Sequence, residues 1–259
     1  MAKIIAVANQ KGGVTKTTST FNISAALAMK GKRVLMVDMD SQASLTISAG
    51  LEPLEVKYTV CDILEKASKP IEECIIKIEH IENLSIIPSI IDLAVLETEL
   101  LSRPAREKIL ARALNQVDKD FDYIIIDCPP QLSILTMNGL AAADEVIIPV
   151  KTDYLAYRGL TQLKDTIEDI RLYVNEKIKV VGVIAALYEM QIVEDKEILA
   201  KLESEYNVIG VIKRAAVAKK GIYDGLPVVM QYSKSNIAKE YLNIADMIIK
   251  SAYERSEEI

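Results

Sequence analysis

Ile4-Ile5-Ala6-Val7-Ala8-Asn9-Gln10-Lys11-Gly12-Gly13-Val14-Thr15-Lys16-Thr17-Thr18 is the stretch on which the reading of this chain turns. Five apolar residues suit a buried strand, two glycines mark a turn, and Thr17 to Lys30 has helical character. Strand, glycine turn, then Lys-Thr at a helix start is the setting of a phosphate-binding loop. Glycine lets backbone N–H groups turn inward around phosphate oxygens, and a helix N-terminus adds partial positive charge. In such a loop Lys16 reaches the β- and γ-phosphates and the Thr17 hydroxyl ligates Mg²⁺. Gly12, Gly13, Val14, Thr15 and Thr18 complete the expected cradle. Taken alone, the stretch also reads as a glycine turn among surface lysines.

The spacing is not that of the ordinary G-x-x-x-x-G-K-[ST] loop. Gln10 stands at its first glycine and Thr15 at its second, and a second lysine, Lys11, opens the turn. A β-branched residue at position 15 is strained if the backbone there needs φ > 0. Lys-Gly-Gly-x-x-Lys-Thr resembles the deviant Walker A motif of the ParA/MinD family of P-loop ATPases. That resemblance implies ATP and Mg²⁺ as ligands. It also implies that Lys11 crosses to the nucleotide of a partner subunit, so that ATP is part of a homodimer interface. Plasmid members of the family also lack glycine at the position of Thr15.

Outward from the loop, short apolar runs alternate with helical patterns. The expected strands are Lys3–Ala8, Arg33–Asp38, Leu84–Pro88, Tyr123–Asp127, Glu145–Val150, Lys179–Leu187 and Val208–Ile212. Their unbroken Ile/Val character suits parallel strands covered on both faces. Helical stripes run through Ile109, Leu110, Ala113, Leu114 and Val117, and through Leu160, Leu163, Ile167, Ile170 and Val174. A third runs through Ile237, Tyr241, Ile244, Ala245, Ile248 and Ala252. Residues 51–101, punctuated by Pro53, Pro70 and Pro88, read as short helices around one strand. The whole implies a doubly wound, mostly parallel α/β sheet flanked by helices, the P-loop NTPase architecture, in one domain over residues 1–259. Ligands in such sheets sit at the carboxyl ends of the strands.

Two further strand ends carry carboxylates. Arg33-Val-Leu-Met-Val-Asp38-Met-Asp40-Ser41-Gln42 resembles the family's Asp-x-Asp-Pro-Gln motif, with Ser41 in place of proline. The resemblance makes Asp40 the residue that positions the hydrolytic water and Asp38 a support for metal and loop. Asp40 or Ser41 could equally cap a following helix. Asp122-Tyr-Ile-Ile-Ile-Asp127-Cys128-Pro129-Pro130 has the form of a Walker B strand, with Asp127 holding Mg²⁺. Cys128 reads as packing. Leu135 to Asp144, Val146 to Val150, and Asp153-Tyr154-Leu155-Ala156 continue the resemblance.

Apolar residues make up 50% of the 259, enough for a large core, and the net charge is −6. That balance argues against nucleic-acid binding by the whole surface, though not by a local patch. Three cysteines without Cys-x-x-Cys spacing suggest free thiols in a reducing compartment. No signal peptide and no membrane-length apolar run is evident, so a cytoplasmic location is expected.

Within the family, ParA/Soj-type members bind DNA non-specifically as ATP dimers and release it when a ParB-type partner stimulates hydrolysis. MinD-type members bind membrane through a basic amphipathic last helix. Here that helix ends Glu254-Arg-Ser-Glu257-Glu258-Ile259, and acidic ends oppose anionic lipid, so no membrane binding is expected. Between Val211 and Lys239 six basic residues face one acid, a balance of six minus one or +5. Lys213, Arg214, Lys219 and Lys220 are the expected DNA contacts, which would make the protein nucleoid-associated. The second arginine of the family's Ile-Pro-Arg-Asn-x-Arg is Val217 here, so DNA binding is expected to be either weaker or shifted onto Lys213, Lys219 and Lys220. The main chain near Lys213 and Ala215 is the expected adenine contact. No helix-turn-helix segment precedes the first strand. Positioning of a protein cargo is the alternative from another class, and MinD-like membrane cycling, which would need lipid binding by the last helix, is a third reading.

Overall fold

Why the strands read as unbroken apolar runs becomes clear from the two cores they separate. Ile4 and Ala6 face one, with Leu35, Val37, Ile124 and Ile126. Ile5 and Val7 face the other, with Val34, Met36, Tyr123 and Ile125. A strand whose two faces are both dry has no polar position to alternate with. The structure, a computed structural model, describes residues 1–65, 70–215 and 225–256.

Eight strands among the described residues form one sheet: β1 (Lys3–Val7), β2 (Val34–Asp38), β3 (Ile76–Lys77), β4 (Leu84–Ile87), β5 (Tyr123–Asp127), β6 (Glu145–Lys151), β7 (Lys179–Tyr188) and β8 (Val208–Lys213). Their spatial order is β3-β4-β2-β5-β1-β6-β7-β8. All pairings are parallel except β3 with β4. The doubly wound sheet implied by the sequence is therefore present. The expected strand bounds are met to within one residue, and Tyr123–Asp127 is met at both ends. β3 was not expected, since two residues are too few to show a period; so short an edge strand offers little for another chain to pair with.

Helix α1 (Lys16–Met29) lies on the second core through Phe21, Ile23 and Leu27. The last described helix, Asn236–Ser256, covers the same face with Ile237, Tyr241, Ile244, Ala245 and Ile248. This stripe faces inward, as its pattern indicated; the side chain of Ala252 lies outside the described residues. On the opposite face the helix Tyr154–Tyr173 buries Leu160, Leu163, Ile167 and Ile170. Each such side chain contributes about 1.5–3 kcal/mol on leaving water. Cys128 is buried beside Gly139, where an added Cβ would come within 2.7 Å of its sulfur. Packing is the use this structure makes of that cysteine.

Register places the site. Val7 is paired with Asp127 across β1 and β5, and Asp38 with Asp127 across β2 and β5. Three central strands thus end in one row, and each loop that carries chemistry leaves from that row.

Candidate nucleotide site

Between β1 and α1 the chain makes the tight turn that its glycines permit. Gly13 has φ 71°, and Thr15, the residue before α1, has φ 67° and ψ 21°. The left-handed conformation costs an L-residue about 1–2 kcal/mol, and branching at Cβ adds to it. Thr15 therefore occupies a conformation that glycine would hold without cost, as the comparison with the ordinary loop anticipated. A Cβ at Gly12 or Gly13 would meet nothing within 4 Å, so both glycines border open space. Asn9 anchors the turn: its Nδ2 donates to Pro149 O on β6 at 2.6 Å, and its Oδ1 accepts from the Lys11 N–H at 3.0 Å.

Lys16 is buried and donates to Lys11 O at 3.3 Å. Burial lowers its pKa, against the opposing pull of Asp127, Cys128 and Asp40. Asp127 accepts from Thr17 Oγ1 at 2.7 Å and from Thr20 Oγ1 at 3.1 Å. Burial, with Asp38 adding repulsion, pushes the Asp127 carboxyl up to about 8, while Thr17, Lys16 and Thr20 restrain it. Such a carboxyl is short of positive charge. A hydroxyl and a carboxylate side by side, next to an open phosphate cradle, are the oxygen donors that Mg²⁺ takes when phosphates supply further ligands. No cluster of three or more His, Cys, Asp or Glu suited to a metal occurs among the described residues.

Asp38 is fully buried and already engaged. It accepts from the Thr46 N–H at 2.9 Å, the Thr46 hydroxyl at 2.8 Å and the Asp40 N–H at 3.1 Å. Burial raises its carboxyl to about 6 against these bonds. Its place is behind the loop, as a tie between β2 and the helix Ser44–Ser48. Asp40 is half-buried and accepts from the Gln42 N–H at 3.0 Å. The capping alternative does not hold: the helix begins at Ser44, and Ala43 occupies its cap without a side-chain bond. Asp40 is left facing the same end of the sheet as Lys16.

Lys11 is half-buried and pairs with Asp153 of its own chain, Nζ to Oδ1 at 2.8 Å. Lys151 takes the other oxygen at 3.0 Å. Asp153 also caps the helix Tyr154–Tyr173 by accepting from the Ala156 N–H at 2.8 Å. In the sequence Asp153 stands only as part of Asp-Tyr-Leu-Ala, with no role of its own. Asn9, Thr46 and Asp153 are the site's unforeseen members, and Asp-Tyr-Leu-Ala at a helix start was the one local signal, as a cap.

The basic stretch is only partly described. Lys213, Arg214 and Ala215 are exposed at the end of β8, and Lys234 and Lys239, near the start of the last helix, are exposed as well. Arg214 pairs with Glu189 at 3.0 Å and donates its N–H to Tyr188 O at 3.1 Å. Val217, Lys219 and Lys220 lie outside the described residues. No helix among the described residues is long and apolar enough to cross a membrane.

A loop of this form between a central strand and its helix, with an acidic Walker B strand beside it, defines a P-loop ATPase fold. A family model described as an AAA domain matches residues 2–180. The sporulation initiation inhibitor protein Soj of Bacillus subtilis (strain 168) is 40% identical over 251 residues, covering 95% of this chain and 97% of that protein. The chromosome-partitioning ATPase Soj of Treponema pallidum (strain Nichols) is 35% identical, covering 96% and 98%. A cobyrinic acid a,c-diamide synthase from Mycobacterium smegmatis, solved with a bound ATP analogue and magnesium, superimposes with TM-score 0.82 at 36% identity, covering 96% of this chain and 95% of that one. The chain belongs to the ParA/Soj family of P-loop ATPases.

Proposed function

We propose that this protein is a ParA-type partition ATPase, one domain over residues 1–259 that binds ATP and Mg²⁺ between two copies. The dimer binds DNA non-specifically, slow hydrolysis releases it, and a ParB-type partner stimulates turnover. The observation that carries the reading is the row of strand ends. It gathers Lys16, the Thr17–Asp127 pair and Asp40 around one open cradle, with Lys11 at its rim.

Mg²⁺, when bound, neutralises phosphate charge and orients the γ-phosphoryl group. Thr17 and Asp127 would hold it, and Asp38 would keep the neighbouring turn in place. The backbone from Gly12 to Thr18 would donate to phosphate oxygens, and Lys16 would stabilise charge developing on the leaving group. Asp40 would orient the attacking water. Lys11 would leave Asp153 and reach the partner's nucleotide. The main chain at Lys213 and Ala215 would border the adenine. Lys213, Lys219 and Lys220 would meet DNA phosphates, and Arg214 would join them on leaving Glu189; a protein so placed is cytoplasmic and nucleoid-associated.

The synthase name attached to a similar structure suggests amide formation. Amidation driven by a cysteine-dependent glutaminase needs an accessible thiol of low pKa. Burial pushes the Cys61 thiol up to about 11 and the Cys128 thiol up as well, and Cys74 is buried. These thiols favour the partition reading. Protein cargo remains the second reading, favoured by the pairing of Arg214 with Glu189.

Sedimentation of the wild type and Lys11→Ala with ATP, ADP or no nucleotide tests the switch. Wild type should dimerise with ATP alone and Lys11→Ala should stay monomeric. ATP-dependent dimers of Lys11→Ala would overturn the role given to Lys11.

A further inference from the structure

Tyr241 is 222 residues from Ser19 in sequence, is fully buried, and places its phenol oxygen 3.1 Å from Ser19 Oγ. Ser19 Oγ is in turn 3.4 Å from Thr15 Oγ1. Three hydroxyls therefore meet behind the residue that precedes Lys16. Burial pushes the phenol up to about 12, so it remains a neutral hydroxyl throughout the working range.

Thr15 needs such support because its backbone is left-handed and its Cβ is branched. The main chain is tied by the Ser19 N–H to Thr15 O bond at 2.7 Å. The hydroxyl cluster ties the side chain and selects one χ1 rotamer. Strain held at a ligand loop persists where the surroundings over-determine it. Here the surroundings are the last helix, itself seated on β8: a Cβ at Gly210 would come within 2.7 Å of Ile244 Cδ1. Tyr241 thus presents its hydroxyl from a fixed base.

We infer that Tyr241 is a positioning residue for the nucleotide site. Through Ser19 it holds Thr15 in the left-handed turn that the phosphate loop requires where glycine is lacking, so the last helix sets the geometry of the loop. The affinity test below rests on the nucleotide-binding reading; the exchange test does not.

The variant is Tyr241→Phe, which keeps the ring and removes the hydroxyl. Affinity for a non-hydrolysable ATP analogue with Mg²⁺ should fall about three- to tenfold, as for one lost hydrogen bond. In a Thr15→Gly background the same change should alter affinity less than about twofold, because glycine needs no support there. In free protein, amide exchange at residues 15–19 should quicken in Tyr241→Phe, stay as in wild type in the strands, and be unaffected by Tyr241→Phe when Thr15 is glycine. Ser19→Ala breaks the same chain from the other side and serves if Tyr241→Phe does not fold. Equal losses in both backgrounds, or unchanged loop exchange in both variants, would overturn the inference. If wild type itself fails to bind the analogue, the proposed function falls, and the exchange comparison still decides this point.

Discussion

Lys11 Nζ and Asp153 Oδ1 stand 2.8 Å apart, so the lysine at the mouth of the phosphate loop is held by the cap of a helix in its own chain. A lysine proposed to reach a second subunit must first leave this partner. In the proposed dimer, association would therefore have to offset the loss of a local ion pair.

Asp153→Asn keeps a good helix cap while removing the charge that holds Lys11. Partly exposed pairs are worth up to about 1 kcal/mol, so the ATP-dependent dimer should tighten roughly two- to fivefold. Sedimentation with ATP over a protein concentration series reads this. An unchanged dimerisation constant would mean that Asp153 does not restrain Lys11.

Acid should expose the same pair. Burial would raise the Asp153 carboxyl, but bonds from Lys11, the Ala156 N–H and Lys151 outweigh it and bring the carboxyl down to about 2. An unfolded Asp titrates near roughly 3.9. The folded pKa is depressed, so this stability is present above about pH 4 and lost as pH falls toward 2. Melting curves should show wild type more stable than Asp153→Asn by about 1 kcal/mol at pH 6, after allowance for solvent screening, with the gap closing toward pH 2. A gap independent of pH would remove the ion pair as its source.

Asp40→Ala should separate binding from turnover. Its carboxylate accepts from the nearby Gln42 N–H, a local bond within the turn, so the fold loses little. Hydrolysis should drop about a hundredfold or more while ATP still drives dimerisation. Undiminished hydrolysis would sink the water-positioning role.

Gly182 tests the sheet. It lies at the register shift between β6 and β7, and a Cβ there would come within 2.4 Å of the Asn207 carbonyl oxygen. Backbone cannot swing aside, so Gly182→Ala should cost about 2–3 kcal/mol. Gly210→Ala meets the tip of Ile244, a flexible side chain, and should cost less. Chemical denaturation orders the two, and the reverse order would contradict the packing described for β7.

Much of this could be read from the chain itself. Tyr123–Asp127 was legible to the residue, because an apolar run ending in aspartate shows both a buried strand and its exit. The left-handed strain at Thr15 was legible too, as a β-branched residue standing where the ordinary loop has glycine. What stayed hidden depends on contacts distant in sequence. Nothing near Lys11 announces Asp153, and nothing near Thr15 announces Tyr241. The engagement of Asp38 by Thr46 arises only once the helix after β2 folds back on the strand end. The two residues of β3 carry no period, and that Asp40 caps no helix depends on the helix starting only at Ser44.

Binding to non-specific duplex DNA with ATP, ADP or no nucleotide, across a salt series, is the most direct measurement. ATP-dependent binding that weakens steeply with salt is expected, and Lys213→Glu should reduce it. Binding equal in all three nucleotide states, or none in any, would contradict a DNA-partitioning switch.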